Sequence, residues 1–250
     1  MRKLEIDDIR IIVFEDVKSL ISEAVSYLCD ALKADPESVI GLATGDTFIP
    51  FYDMIAGTFS GARITFKEVT TFNLDEYVGL PVYSPHSYHT YMEQNLFSRV
   101  DIDRKNTHLP DGSAPEPEKA ASEYEALISE AGGIDMQFLG LGRNGHIGFN
   151  EPGTSFGSLT HVTELSEETV RANAHLFNSP ADVPHRAITM GIRTILNARR
   201  VVLLAFGESK SVAIRDTFTR GITESVPASS LKLHRRSTFL LDSAAAKHII

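Results

Sequence analysis

RIIVFEDVKSLISEAVSYLCDALKADPESVIGLA (10–43) decides the fold. RIIVF (10–14) is a short apolar run of strand length. Across 16–33 the apolar positions Val17, Leu20, Ile21, Ala24, Val25, Leu28 and Leu32 recur with the helical period and form one stripe. VIGLA (39–43) is again a short apolar run, consistent with a strand buried on both faces. The unit therefore reads strand, helix, strand. A polar turn follows at Thr44-Gly45-Asp46-Thr47, then a helix over 49–57.

The alternation continues outward. EVTTFNL (68–74), DMQFLGLG (135–142), VVLLAFG (201–207) and STFLLD (237–242) read as strands. Helices are expected over 87–100, 116–133, 187–199 and 209–221, with Ser87 as an N-cap and glycines closing the second. The stretch 150–186 is irregular around one short helix (166–177), as a lid or binding loop would be. This order predicts an α/β domain with a mostly parallel sheet covered on both faces. No linker, repeat or low-complexity tract divides the chain.

Composition narrows the function classes. At 250 residues the chain buries about 70–75% of its unfolded surface and needs no disulfide or metal to hold a core. No apolar run is long enough to span a membrane, and MRKLEIDDIR does not read as a signal peptide. The lone Cys29 excludes a disulfide framework and fits a reducing, cytoplasmic setting. The net charge of −9 and the absence of a basic stripe disfavour nucleic acid. A small anion must then be bound locally, by backbone N–H groups and a few placed cations.

Ligands of open α/β sheets bind at the carboxyl ends of strands, and four such ends are polar here. Thr44-Gly45-Asp46-Thr47 is either a phosphate cradle or a plain capped turn. Asp75 and Glu76 alternate across a strand, so one can enter a pocket while the other anchors a loop; surface acids are the other reading. GLGRNGHIGFNEPG (140–153) contains G-x-G-x-x-G, yet GFNEPG breaks the helix that a dinucleotide motif should open. Its glycines are expected to let backbone approach a ligand. Within it, His146 and Glu151 can meet, a carboxylate setting the tautomer and basicity of an imidazole. Lys210 opens a helix after a strand, to hold phosphate or to be solvated. His86 and His89 lack a third ligand, so no metal site is expected.

TTFNLDEYVGLP (70–81), SYHTYMEQNLF (87–97) and LGLGRNGHIGFNEPGTSF (139–156) closely resemble the glucosamine-6-phosphate deaminase (glucosamine-6-phosphate isomerase) family. VRANAHLF (170–177), AITMGIRTILNAR (187–199), GESKSVAI (207–214) and VPASSLKLH (226–234) extend the resemblance over about 39–242. It implies a Rossmann-like three-layer open sandwich, one domain over 1–250, no cofactor, and a candidate active-site lid within 157–183. It implies the conversion of D-glucosamine 6-phosphate and water to D-fructose 6-phosphate and ammonia. Asp75 would be the base moving a proton between C2 and C1. His146 would open the sugar ring with Glu151 orienting it and Asn144 alongside. Thr44, Gly45, Asp46, Thr47, Arg171 and Lys210 would hold the phosphate.

The chain departs from the resemblance at Asp46 and Phe48, where members usually read T-G-G-T-P or T-G-S-T-P, and Asp46 is expected to point outward. It carries Asn144 where many members carry Asp. A galactosamine-6-phosphate deaminase is the closest rival reading; a 6-phosphogluconolactonase or a sugar-phosphate-sensing domain fits less well. Monomer and homo-oligomer both remain open.

Overall fold

The computed structural model describes every residue except 8, 61–63, 175, 176, 178, 180 and 181. Parts of the candidate lid and of the 170–177 string therefore lie outside the described residues. An eight-stranded sheet is built from β1 (Arg2–Ile6), β2 (Ile9–Phe14), β3 (Val39–Leu42), β4 (Thr70–Asn73), β6 (Thr107–His108), β7 (Met136–Leu139), β10 (Val201–Ala205) and β11 (Ser237–Asp242). Three further strands, β5 (Asp75–Tyr77), β8 (His161–Glu164) and β9 (Arg186–Thr189), form a second, antiparallel sheet. The helices are α1 (Val17–Ala34), α2 (Ile49–Phe59), α3 (Tyr88–Asn95), α4 (Pro117–Glu130), α5 (Glu167–Asn173), α6 (Ile192–Leu196) and α7 (Ser211–Thr219).

The large sheet runs β1-β2-β11-β10-β7-β3-β4-β6 and is parallel except at the β1–β2 hairpin. Its central strands β3, β7 and β10 are buried at every residue, which explains their unbroken apolar runs. The chain winds from β2 to β3, β4 and β6 in one direction, then returns through β7, β10 and β11 in the other. Right-handed crossovers place the helices of the two halves on opposite faces, giving three layers. The order reverses between β3 and β7, so the loops leaving these two strands part and leave a crevice.

Local sequence explains most elements. Asp16 caps α1, accepting from the Ser19 N–H at 2.8 Å, and the predicted stripe is its buried face. Three expectations are corrected. Residues 187–199 do not form one helix: Ala187-Ile188-Thr189 is strand, paired with β5 on one side and β8 on the other, and only Ile192–Leu196 is helical. Two bonded edges offset the local helical period. The strand predicted over 68–74 ends at Asn73, and Asp75 opens β5 in the other sheet. The irregular stretch 150–186 also contains β8, and β1 was not expected at all.

Candidate active site

A cavity of about 300 Å³ opens at the β3–β7 crevice. Ala43–Thr47 line one wall and Gly140–Asn144 with His146 another; Asp75, Lys210 and the α5 residues Glu168, Thr169 and Asn173 complete it. The sequence-predicted residues thus come together at one switch point, except that Glu151 stands behind His146 and Arg171 lies away from the cavity.

Asp75 is 6% exposed. Burial, and then the neighbouring Glu76 charge, push its carboxyl up to about 8. The alternation expected of the acid pair holds. Glu76 turns away and accepts from the backbone N–H groups of Tyr77, Tyr88 and His89 at 2.9–3.0 Å, tying β5 to the start of α3. One acid serves the cavity while its neighbour fixes the strand that carries it.

On the glycine-rich loop after β7, the His146 Nδ1 lies 3.6 Å from Glu151 Oε2, leaving Nε2 to serve the cavity. Asn144 donates through Nδ2 to the same Glu151 oxygen at 2.7 Å, and its Oδ1 accepts the His146 N–H at 3.2 Å. The second oxygen, Oε1, accepts from Ser166 Oγ at 3.0 Å and from Thr169 Oγ1. Burial alone would raise the Glu151 carboxyl, but His146, Thr169 and Asn144 outweigh it and hold it at about 2. Glu151 is therefore a fixed anion beside the imidazole. Gly142 makes room for this arrangement: a Cβ there would stand 2.4 Å from the His146 ring. The glycine serves the imidazole rather than a ligand.

The 44–47 loop is anchored from below. Tyr91 and Tyr52 donate their hydroxyls to the carbonyls of Gly45 (2.8 Å) and Ala43 (2.5 Å). Phe48 is fully buried and packs its ring against Phe51 and Tyr52, centroids 5.7 and 6.0 Å apart. An aromatic anchor thus stands where the resembling family usually has proline. Asp46 is exposed but remains on the cavity rim, so the outward expectation holds only in part. Burial and then Arg143 lower the Lys210 ammonium below the usual lysine range, while Asp46 draws it back up.

Arg171 is the site residue that the structure brings neither to the cavity nor to a residue lining it. Its side chain is 76% exposed and pairs with Glu167 at 3.3 Å. Thr169 and Asn173, one turn apart on α5, face the cavity; Arg171 is two residues from each and points to the other side. The cation that does line the cavity beside Lys210 is Arg143, which sequence reasoning missed. Its signal was its place inside the glycine-rich string, between the strand end and His146. Ser166, Thr169 and Asn173 were also missed; a serine at the first position of the expected 166–177 helix was the signal that could have found the first of them.

Comparison with known proteins identifies the family. Residues 15–240 match the family model described as glucosamine-6-phosphate isomerases/6-phosphogluconolactonase. The chain is 49% identical to a glucosamine-6-phosphate deaminase of Rhodopirellula baltica, over 96% of each chain. It is 45% identical to one of Halothermothrix orenii, covering 95% of this chain and 98% of that one. A solved monomeric glucosamine-6-phosphate deaminase superposes with a TM-score of 0.93 at 42% identity, covering 95% and 99%. A 6-phosphogluconolactonase from Trypanosoma brucei shares the fold at 19% identity, with a TM-score of 0.78 over 96% of this chain and 98% of that one. Sequence strings, strand order and cavity all lead to one conclusion: the chain belongs to the family of glucosamine-6-phosphate isomerases and 6-phosphogluconolactonases.

Proposed function

We propose that this chain converts D-glucosamine 6-phosphate and water to D-fructose 6-phosphate and ammonia. The observation that carries the reading is one cavity lined both by a poised acid, Asp75, and by an imidazole with a fixed anion behind it, His146 and Glu151. The names of the relatives at 45–49% identity support the same chemistry.

In this reading the 44–47 loop, Lys210 and Arg143 hold the phosphate, through N–H groups at the start of α2 and two cations. His146 takes the anomeric hydroxyl proton and returns a proton to the ring oxygen, opening the sugar. Glu151 keeps Nδ1 in the protonated tautomer for that exchange. Asp75 then removes the C2 proton while the C1 carbonyl oxygen gains the proton that the C2 ammonium gives up, leaving an enolamine. Asp75 passes its proton to C1, and the resulting C2 iminium adds water and expels ammonia. An ammonium on C2 of the bound sugar brings positive charge near Asp75 and favours its ionised, basic form. A gluconolactone carries no such charge, so the desolvated Asp75 suits an amino sugar better.

The whole chain acts as one catalytic unit in the cytoplasm, with α5 part of the cover over the cavity. The test is ammonia release from glucosamine 6-phosphate, with galactosamine 6-phosphate as the epimeric comparison. Ammonia from the first in preference to the second is the expected outcome; none from either overturns the proposal.

A further inference from the structure

Glu151 divides its two carboxylate oxygens between different parts of the molecule. Oε2 faces the rigid β7 loop, through Asn144 Nδ2 at 2.7 Å and His146 Nδ1 at 3.6 Å. Among the described residues, Oε1 is held from the start of α5, by the hydroxyls of its N-cap Ser166 and of Thr169. These two hydroxyls also lie 3.0 Å from each other, and Ser166 Oγ accepts the Thr169 N–H at 3.2 Å as the helix cap. Thr169 is 5% exposed, so its hydroxyl is spent on the carboxylate and not on solvent. The cap itself is the bond from the Thr169 N–H to Ser166 Oγ; the Thr169 hydroxyl, which touches that cap, donates to Glu151. The far end of α5 is held too, where Asn173 Nδ2 donates to the Tyr77 hydroxyl at 2.9 Å on the strand that carries Asp75. Between its ends, Val170 packs on the second core around Tyr77, Tyr88 and Phe149.

We infer that Ser166 and Thr169 are positioning residues that latch α5 to Glu151, so that seating this helix over the cavity and aligning His146 for ring opening are one event. The inference rests on the proposed deaminase reading. A carboxylate with one oxygen unheld can rotate about its last bond and lose its line to Nδ1. With both oxygens held, it presents Oε2 to the imidazole only while α5 is in place. Substrate that seats α5 thereby completes its own ring-opening apparatus, and an open site leaves His146 less well supported.

The test pairs steady-state kinetics with hydrogen exchange. Thr169→Val, which keeps the shape and removes the hydroxyl, lowers kcat for ammonia release ~10-fold with KM little changed, the worth of one hydrogen bond to a charged group. Thr169→Ser restores kcat. In a Glu151→Gln background, Thr169→Val causes no further loss, because the latch is already broken. Independently of turnover, Glu151→Gln speeds amide exchange in residues 167–173, although the substitution lies outside the helix. An unchanged kcat in Thr169→Val overturns the inference, as does an equal loss in both backgrounds, which would mean that Thr169 acts only on helix folding. If Thr169→Val does not fold, Thr169→Ser and Ser166→Ala in the two backgrounds replace it: Ser near wild type and a non-additive loss for Ala support the latch, and additive losses overturn it. Absence of ammonia release by the unmodified chain defeats the deaminase reading alone. The latch is then judged on exchange, where unaltered protection of 167–173 in Glu151→Gln overturns it and faster exchange sustains it.

Discussion

Asp75 and Glu151 are both acids withdrawn from water at one site, yet burial acts on them in opposite company. Around Asp75 no donor among the described residues compensates desolvation, and the adjacent Glu76 adds to it, so the carboxyl rises to about 8. Around Glu151, Asn144, Ser166 and Thr169 supply donors and His146 a nearby imidazole, and the carboxyl falls to about 2. The difference teaches that depth alone does not set an acid's role. Donor count does: the bare acid can exchange a proton near neutral pH, and the ligated one is a permanent charge.

The largest effect expected from breaking this contrast is at Asp75. Asp75→Asn lowers kcat by at least ~10²-fold, the scale of a positioned general base, while circular dichroism shows an unchanged fold. Stability adds a second readout. Because the folded pKa is raised, the native state holds a proton that the unfolded chain releases above about pH 4. The Asp75 contribution is therefore complete below that pH and is lost as pH rises through about 8. Thermal melts should show Asp75→Asn gaining on the unsubstituted chain across this window.

Recognition is separable from proton transfer. Lys210→Ala and Arg143→Ala should each raise KM for the sugar phosphate ~10- to 100-fold, as removal of a charge-assisted hydrogen bond does. Arg171→Ala should leave KM unchanged, since that side chain faces solvent and Glu167. A KM that responds to Arg171 and not to Arg143 would show that the cavity closes with a different face of α5 inward.

At the other carboxylate, Glu151→Gln should lower kcat ~10-fold or more through loss of the fixed charge. Its folded pKa is depressed, so its stabilising contribution is present above the unfolded value near 4.5 and lost as pH falls through about 2. Melts of the two chains should differ at pH 7 and converge at the acid end.

The smallest effect is at Asn144. Asn144→Asp replaces the donor on Glu151 Oε2 with a second carboxylate. Losing the donor that holds Oε2 toward the imidazole, with a like charge set against Glu151, should lower kcat/KM a few-fold. Unchanged kcat/KM would show that residue 144 does not support the His146–Glu151 pair.

Much of this contrast was legible in the chain. The β-α alternation set the layers because each apolar run and each helical stripe is a local pattern. The division of labour between Asp75 and Glu76 followed from alternation along a strand, and the pairing of His146 with Glu151 from their spacing in a glycine-rich loop. What was not legible depends on partners distant in sequence. Residues 187–199 carry a helical period, but 187–189 are claimed by β5 and β8. Arg171 and Arg143 are both cations near the right strings, and only the rotation of α5 decides which one meets the cavity. The donors on Glu151 Oε1 come from 15 and 18 residues away, across β8, where no sequence spacing announces them.

The central claim is that two carboxyls at one site, Asp75 lining the cavity and Glu151 behind His146, are driven apart by their surroundings. Titration of the side-chain carboxyl carbons by NMR, with Asp75→Asn and Glu151→Gln to assign the two resonances, tests it most directly. The account predicts that the Asp75 signal titrates near pH 8 and that the Glu151 signal stays that of an ionised carboxylate until about pH 2. Two ordinary titrations near pH 4 would contradict it.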